Sequence, residues 1–493
     1  MQPTADTLYT VAQVRELDRR AIAALGGDGY ALMSRAGEAA FRRLRARWPS
    51  ARRVVIACGT GNNGGDGYIV ARLARGQGLD AVVVTGDASE PRSDDARRAR
   101  NDWLAAGGTE RVLEAGVLPA SDLVVDGVLG IGLTRAPEGA ARALIDAIAA
   151  ARRPVLALDL PSGLDADSGQ APGACVRADL TVTFIARKRG SATGDAPAHV
   201  GDLVLEPLDV AATCFDGIAP DARLVGHAEA ARALAPRART AHKGHFGHVL
   251  VIGGDHGMAG AARLAAEAAA RTGAGLVSVA TRREHAAAIV AARPELMVRG
   301  VESAAELEPQ IARANALAIG PGLGQSGWAR ELLAAALARA LPTVVDADAL
   351  NLLALHRMAL PARCVLTPHP GEAARMLGSD TGAIQKDRFA AARTLAREYG
   401  AVTVLKGAGT LIAEPGGATR VLPAANPGMA SGGMGDVLTG VIASLLAQGL
   451  AAPVAAATGA WLHAEAARRA AVNGERGMLA SDVLAELRGA TNP

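Results

Sequence analysis

The stretch ANPGMASGGMGDVLTG, residues 425–440, places five glycines around a single carboxylate, Asp436, and then runs on into apolar residues. Asn426-Pro-Gly and Ser431-Gly-Gly suit a turn and not a strand interior. From Val437 the sequence VLTGVIASLLAQGL is apolar on nearly every face, as a buried helix is. The glycines therefore lie at a helix N-terminus, where free N–H groups and the helix dipole favour an anion. Without side chains they let a phosphate approach the backbone closely. A carboxylate at that spot is badly placed to bind phosphate. It is well placed to take a proton from a hydroxyl that attacks the phosphate. The plainer reading is that Asp436 only caps the helix.

Lysine is scarce: it stands at only four positions, Lys188, Lys243, Lys386 and Lys406, among 52 basic residues. A chain that uses arginine for generic positive charge leaves its lysines as candidates for work that needs a compact ammonium. Lys406 lies in LKGAGT (405–410), where a Lys-Gly pair at a strand end can add charge to a phosphate site, or can be a surface turn. PGLG (321–324) and TPHPGE (367–372) also follow strand ends, where open α/β sheets bind ligands. His369 is fixed between two prolines, which suits hydrogen bonding to a ligand or simply marks a helix start. DADAL (346–350) offers Asp346 and Asp348 as aids to Mg²⁺, or Asp348 as a helix N-cap.

In the first half, GTGNNGGDG (59–67) follows the apolar run RRVVIACG. Gly59, Gly61 and Gly64 fit GxGxxG, and Asp87 ends the next strand, as in a dinucleotide fingerprint. Asn62, Asn63 and Asp66 are more polar than such a loop needs and suggest sugar hydroxyls or an oxygen-liganded cation as the guest. DGVLGIGLTRAP (126–137) and LDLPSGLDADSG (158–169) are two more loops after strands, so Asp126, Asp159 and Ser162 converge at one sheet edge.

These loops need a sheet to align them. RRVVIACG, AVVVTG, DLVVDGVLG, PVLALDLPSG and LTVTFI read as strands buried on both faces, with helical stretches at 65–76, 92–106 and 138–151 between them and at 11–25 and 31–47 ahead. The second half repeats the grammar in HVLVIGG, GLVSVAT, ALAIG, PTVVDAD, RCVLTPH and AVTVLKG, followed by TLIA and TRVL as a hairpin. Both halves are α/β sandwiches. A weakly patterned region around 208–240 separates a domain over 1–215 from one over 222–493. A net charge of +3 with 20% charged residues gives no ground for nucleic acid or an anionic membrane as partner. Four scattered cysteines without a CxxC pair fit buried free thiols in a reducing cytosol. MQPTADTLYTVAQVRELDRR lacks a signal-peptide core, and the apolar region 437–461 is broken by Gln448 and Pro453, so it reads as buried helices. A cytoplasmic protein is expected.

From about residue 242 to 490 the chain resembles the ribokinase-like NAD(P)H-hydrate dehydratases. The resemblance rests on KGHFGHVLVIGG, GAARLAAEAAARTGAGLVSVAT, AIGPGLG, VVDADALNLL, LTPHPGEAARMLG, LKGAGT and NPGMASGGMGDVLTG, in that order. It implies nucleotide contacts from Lys406, Gly407, Ala408, Gly409 and Thr410, and from Asn426, Gly428, Met429, Ala430, Ser431, Gly432, Gly433, Met434 and Gly435. The damaged cofactor would contact Gly324, His369 and Asp436. That cofactor is reduced nicotinamide dinucleotide with water added across a ring double bond. Phosphorylating its hydroxyl turns a poor leaving group into a good one, with Asp436 as the base. The fused layout resembles the bacterial form, which implies ADP and Mg²⁺ rather than ATP. Ala424-Ala425 replace the family's usual Thr-Gly before the asparagine.

From about Val11 to residue 210 the chain resembles the NAD(P)H-hydrate epimerases, through LMSRAGEAA, GNNGGDGY, VDGVLGIGLTR, LALDLPSGLDADSG and TVTFIARKRG. This implies substrate binding by Asn62, Asn63, Gly64, Gly65 and Asp66, by Gly130, Ile131, Gly132, Leu133, Thr134, Arg135 and Ala136, and by Asp159. A K⁺ ion would be held by Asn63, Asp126 and Ser162. Ile131 stands where the family usually carries threonine. Asp159 is the candidate for proton handling, with Lys188 second unless it is a surface charge. The two resemblances together imply a Rossmann-like epimerase domain that interconverts the R and S hydrates of NADH and NADPH. Fused to it would be a dehydratase domain that acts on the S form with ADP, giving AMP and phosphate. Partners would be these small molecules, in a homo-oligomer. The alternative is a ribokinase-type small-molecule kinase with an N-terminal nucleotide-sensing domain.

Overall fold

The computed structural model describes residues 6–114, 118 and 120–492, so the first five residues of the N-terminal stretch quoted above lie outside it. The chain divides into two compact units, Met1–Arg223 and Leu224–Pro493.

In the first unit the apolar runs become strands covered on both faces. Val54, Ile56 and Cys58 pack on the side of helices Gly29–Arg47 and Asn62–Gly76, while Val55 and Ala57 pack on the side of Gly139–Ala151. Burying each such valine or isoleucine contributes about 1.5–3 kcal/mol, which is why period-two alternation is absent. The seven-stranded sheet has the order Glu110–Val112, Asp80–Thr85, Arg53–Cys58, Leu123–Gly127, Val155–Leu158, Leu180–Phe184, Asp202–Glu206, all parallel. Arg53–Cys58 is laid down first among them, later strands are added on one side, and the chain then returns to the other. That reversal opens a crevice between the ends of Arg53–Cys58 and Leu123–Gly127. A short parallel pair, Thr7–Tyr9 with Arg187–Lys188, sets Tyr9 beside Lys188.

The second unit repeats the plan. Its strands run Met297–Gly300, Leu276–Thr281, His248–Ile252, Ala316–Ile319, Thr343–Val345, Cys364–Leu366, Val402–Leu405 in parallel, and the hairpin Thr410–Ala413 and Thr419–Leu422 closes the row antiparallel. The reversal lies between His248–Ile252 and Ala316–Ile319, next to the PGLG loop.

The edge strands Glu110–Val112, Asp202–Glu206 and Met297–Gly300 carry mixed, partly exposed residues, and the apolar-run criterion passes over them. Among the described residues no helix is long and apolar enough to cross a membrane. Residues 437–461 fall in two helices, Met434–Ala447 and Ala452–Ala470. The cysteines are free, and Cys175, unlike the other three, is only half-buried.

Helix Met434–Ala447 is buried over most of its length and lies against helix Ala259–Arg271. Alanines line this contact, and Gly440 sets its closest approach: a Cβ there would sit 1.9 Å from the Ala265 carbonyl oxygen. Gly440→Ala must push the helices apart and is expected to lower stability by about 1–3 kcal/mol or more, read as a lower urea midpoint.

Candidate active sites

In the first unit, strand Arg53–Cys58 runs into Gly59, where a Cβ would lie 2.0 Å from the Val128 carbonyl oxygen. The two strand-end loops therefore touch backbone to backbone. Gly64 meets Gly59 oxygen at 2.0 Å and Gly65 meets the Met33 sulfur at 2.6 Å in the same sense. These two glycines serve packing and do not line the crevice. The crevice itself is a cavity of about 730 Å³ bordered by Asn62, Asn63, Asp66, Gly130, Ile131, Gly132, Asp159 and Lys188. Leu133, Thr134, Arg135 and Ala136 do not border it, and Thr134 and Arg135 are exposed. Asp87 borders it but is occupied with its own loop, accepting from Ser89 N at 2.9 Å.

Asp159 sits in the left-handed region at φ 65°, a conformation that costs a non-glycine residue about 1–3 kcal/mol. Its backbone N–H donates to Val182 O at 2.8 Å. Its carboxylate accepts from Lys188 Nζ, from Thr183 Oγ1 at 3.2 Å and from Phe184 N at 3.3 Å. Lys188 is 1% exposed, so it is no surface charge. Its ammonium also donates to Thr183 Oγ1 at 3.0 Å and Phe184 O at 3.1 Å, which uses all three donors. Asp18, on helix Val11–Ala24, borders the same cavity and was not singled out from the sequence. Burial pushes its carboxyl up to about 6. Asp66 is pushed well above the carboxylate range, by burial first and then by the charges of Asp159 and Asp18.

Asn63, at the cavity wall, is joined behind it by Asp126 and Ser162, and all three are buried. Asn63 Nδ2 donates to Leu129 O at 2.9 Å and Leu158 O at 3.1 Å, which turns Oδ1 the other way, buried and without a partner among the described residues. Asp126 accepts from Ser162 N at 2.8 Å and Ser162 Oγ at 2.5 Å, and burial raises it to about 6. An orphaned amide oxygen, a desolvated carboxylate and a hydroxyl form a donor set suited to a hard cation.

In the second unit the centre is Lys406, just past strand Val402–Leu405. Its ammonium donates to Asp346 Oδ1 at 2.8 Å and lies 3.8 Å from Glu372 Oε2. Asp346 holds the N-cap position of helix Ala347–His356, yet its side chain caps nothing. Its other oxygen accepts from Thr439 Oγ1 at 2.8 Å, on the helix that carries Asp436. Burial raises Asp346, but Lys406 more than offsets this and holds it below the usual range. Gly435 lies against this ion pair. A Cβ there would lie 3.2 Å from Lys406 Nζ and 3.5 Å from Asp346 Oδ2, so a side chain would press on the lysine end of the ion pair.

Asp436 is in the first turn of helix Met434–Ala447, whose N-cap is Gly433 with no side-chain cap. It is not the cap residue, and the first-turn N–H groups stay available. Burial, then the nearby Asp346 charge, pushes it up to about 7 against the pull of Lys406. Gly432 faces open space. Asn426, Ser431, Gly428 and Met434 are tied to or packed on their own unit, Ser431 while exposed. Asn426 accepts from Gly428 N at 2.9 Å and donates to Ala467 O at 3.2 Å, Ser431 donates to Met478 O at 3.2 Å, and Gly428 and Met434 are buried. Met429 is half-buried and Ala430 exposed. The loop after Lys406 exposes Gly407 and Ala408, buries Gly409 and ties Thr410 Oγ1 to Gly407 O at 3.0 Å. Arg388, 1% exposed, shapes this loop by donating to the carbonyls of Leu405 at 3.3 Å and Lys406 at 3.2 Å.

His369 is both helix start and ring donor. Its Nδ1 accepts from Gly371 N at 3.0 Å, which leaves Nε2 to carry the proton, and burial lowers its pKa. Glu372 Oε2 accepts from His369 N at 2.7 Å and so links this turn to Lys406. Gly324 N donates to Asp348 Oδ2 at 2.9 Å, so Asp348 holds a loop and is not a cap. Beside it Asp255 accepts from Arg282 Nε at 2.7 Å and Ser326 Oγ at 2.9 Å. Asp255 follows the double glycine after strand His248–Ile252, the same grammar as the loops that were noticed. Arg388 and Arg282 gave no signal among so many arginines. No group of three or more His, Cys, Asp or Glu side chains is arranged to hold a metal ion among the described residues.

Two family models match the chain: that of the NAD(P)H-hydrate dehydratases over residues 249–488 and that of the YjeF-related protein N-terminus over residues 29–190. A bifunctional NAD(P)H-hydrate repair enzyme of Coxiella burnetii is 48% identical over 487 residues, covering 99% of either chain. One from Escherichia coli is 44% identical, covering 99% of this chain and 94% of its own. Among solved structures, a ribokinase-like superfamily protein of Enterococcus faecalis matches with a TM-score of 0.50 and 29% identity, over 53% of this chain and 93% of its own. With a strand-end site in each unit and full-length likeness to such enzymes, the chain belongs to the family of bifunctional NAD(P)H-hydrate repair enzymes.

Proposed function

We propose that this chain repairs hydrated NADH and NADPH, with the first unit interconverting the two epimers and the second removing water from the S form at the expense of ADP. The observation that carries the reading is the placement of Asp436. A carboxyl held near neutrality stands in the first turn of an uncapped helix, beside the Lys406 ammonium.

Water adds to an enamine so that the hydroxyl lands on the carbon next to nitrogen. Expelling that hydroxyl as hydroxide is slow. In the proposed reaction the first-turn N–H groups and the open loop at Gly407 and Ala408 cradle the nucleotide's phosphates. Asp436 takes the hydroxyl proton as the oxygen attacks the terminal phosphorus of ADP, and AMP leaves. The ring nitrogen then pushes out phosphate, and loss of the neighbouring carbon-bound proton restores the double bond. His369 Nε2–H and the Gly324 loop orient the hydrate. Lys406, locked to Asp346, fixes the helix start and lends positive charge to the phosphate site.

Mg²⁺ would be held here mainly through the nucleotide's phosphates, as it commonly is with few carboxylates. It would neutralise charge on the transferring group. In the first unit Asn63 Oδ1, Asp126 and Ser162 would hold K⁺, which would fix the two strand-end loops and screen the buried carboxylate. Asp159, kept in place by Lys188, handles the proton there.

Purified protein mixed with both epimers of hydrated NADH, Mg²⁺ and ADP is expected to restore the full reduced-nicotinamide absorbance and to release AMP and phosphate. Recovery that stops at one epimer would remove the role given to the first unit, and a stable phosphorylated product would favour the kinase reading. The dehydration rate is expected to rise with pH through about 7 as Asp436 loses its proton, because the base must be ionised. Asp436→Ala is expected to lower the rate by about 100-fold or more while ADP still binds, measured by steady-state kinetics and calorimetric titration. Retained dehydration in that variant would remove Asp436 from the role.

A further inference from the structure

Inverting a carbon that bears a hydroxyl and a ring nitrogen does not require breaking a carbon–hydrogen bond. The nitrogen lone pair can expel the hydroxyl once that oxygen is protonated, and water can return to the other face of the flat cation. Such an exchange needs an acid for the departing hydroxyl and a base for the incoming water, both reaching one cavity. Asp159 alone cannot be both. Lys188, Thr183 Oγ1 and Phe184 N all donate to its Oδ1, which leaves Oδ2 to serve one face of the ring, and Lys188 has no donor left over.

The same cavity holds two further carboxyls, Asp66 on helix Asn62–Gly76 and Asp18 on helix Val11–Ala24. Neither makes a hydrogen bond or ion pair among the described residues, whereas Asn62, Asn63, Asp159 and Lys188 on the same cavity are tied into networks. A half-buried acid that makes no hydrogen bond to a neighbour and opens onto a ligand cavity is suited to donate to the ligand. We propose that Asp66 is the proton donor for hydroxyl exchange at the hydrated ring, with Asp159 as its complementary base and Asp18, which borders the same cavity, as a positioning residue. The inference rests on the epimerase reading of the first unit.

The step balances. Asp66 gives its proton to the hydroxyl of one epimer, the carbon–oxygen bond breaks, and water and a nitrogen-stabilised cation form. Water adds to the opposite face, and Asp159 takes the proton that this oxygen loses. A solvent proton exchange resets the two carboxyls, and in the reverse direction they swap roles. No oxidant, reductant or co-substrate is consumed. The charged and titratable groups facing Asp66 fit this division of labour: Asp18 from the first helix, Asp159 and Lys188 from the strand end, and Cys58 from strand Arg53–Cys58. Burial, Asp159 and Asp18 all favour its protonated form, and Lys188 opposes them.

The test is epimer exchange followed by NMR on the full chain with purified single epimers, scored against the spontaneous rate. Asp66→Asn is expected to lower kcat for exchange about 100-fold or more with KM within about threefold, while dehydration of the S form is unchanged. Asp66→Glu should recover part of the loss. In Asp18→Asn, the fall in kcat at high pH should move to lower pH, because Asp66 then gives up its proton more readily. Wild-type-like exchange in Asp66→Asn overturns the inference and leaves the epimerase reading standing. A wild-type chain that does not exceed the spontaneous rate overturns both. Should Asp66→Asn fail to fold, the pH profile of Asp18→Asn decides, and an unmoved profile counts against the proposal.

Discussion

An ammonium cannot leave water without a carboxylate to meet it. Lys188 is 1% exposed and lies against Asp159, and Lys406, with its side chain 20% exposed, lies against Asp346, itself 1% exposed. Removing one partner of such a pair leaves an uncompensated charge and costs about 3–5 kcal/mol, so each pair fixes whatever surrounds it. In the first unit the pair holds Asp159 in a left-handed backbone conformation that its own preferences resist. In the second it lies close against Gly435 and, through Thr439, ties helix Met434–Ala447 to the end of strand Thr343–Val345. The two units differ in topology at their edges but share this device at the centre.

The same desolvation acts on the carboxyls without a cation of their own. Asp346 has Lys406 at 2.8 Å and stays below the ordinary range, whereas Asp436, one residue past the glycine that touches the same pair, is held near 7. In the first unit Asp126 and Asp18 rise to about 6. One carboxylate anchors and its neighbour keeps a proton within reach, and that separation of environments lets two acids in one pocket do different work.

Much of this was legible in the residues. Doubly buried parallel strands leave long apolar runs, and turns at their ends leave glycines, so the two sheets and nearly all the loops that meet at their crevices could be marked in advance. The hairpin Thr410–Ala413 with Thr419–Leu422 was also readable, because its apolar runs are short and closely spaced. Edge strands were not, since Glu110–Val112 and Met297–Gly300 are half in water and need no apolar run. Spacing alone did not reveal that some glycines also serve packing: a carbonyl and a sulfur stand where side chains of Gly64 and Gly65 would go, and the Lys406 ammonium lies close to where one at Gly435 would go. Asp18 was invisible because it comes from an amphipathic helix more than forty residues before the loop it meets, and local spacing carries no trace of that approach.

The strand order has a consequence for how the crevices come into being. In each unit the strand that begins the doubly wound sheet ends up inside it. Arg53–Cys58 is flanked by Asp80–Thr85 on one side and by Leu123–Gly127 on the other, and His248–Ile252 is likewise flanked by Leu276–Thr281 and Ala316–Ile319. During synthesis the early strand acquires one neighbour at once and waits for the other while a long segment emerges. Until that second neighbour docks, its open side is a bare apolar edge, the kind of surface on which chains misassemble. Each crevice is thus completed only when that second neighbour docks, and its rim begins as an open strand edge.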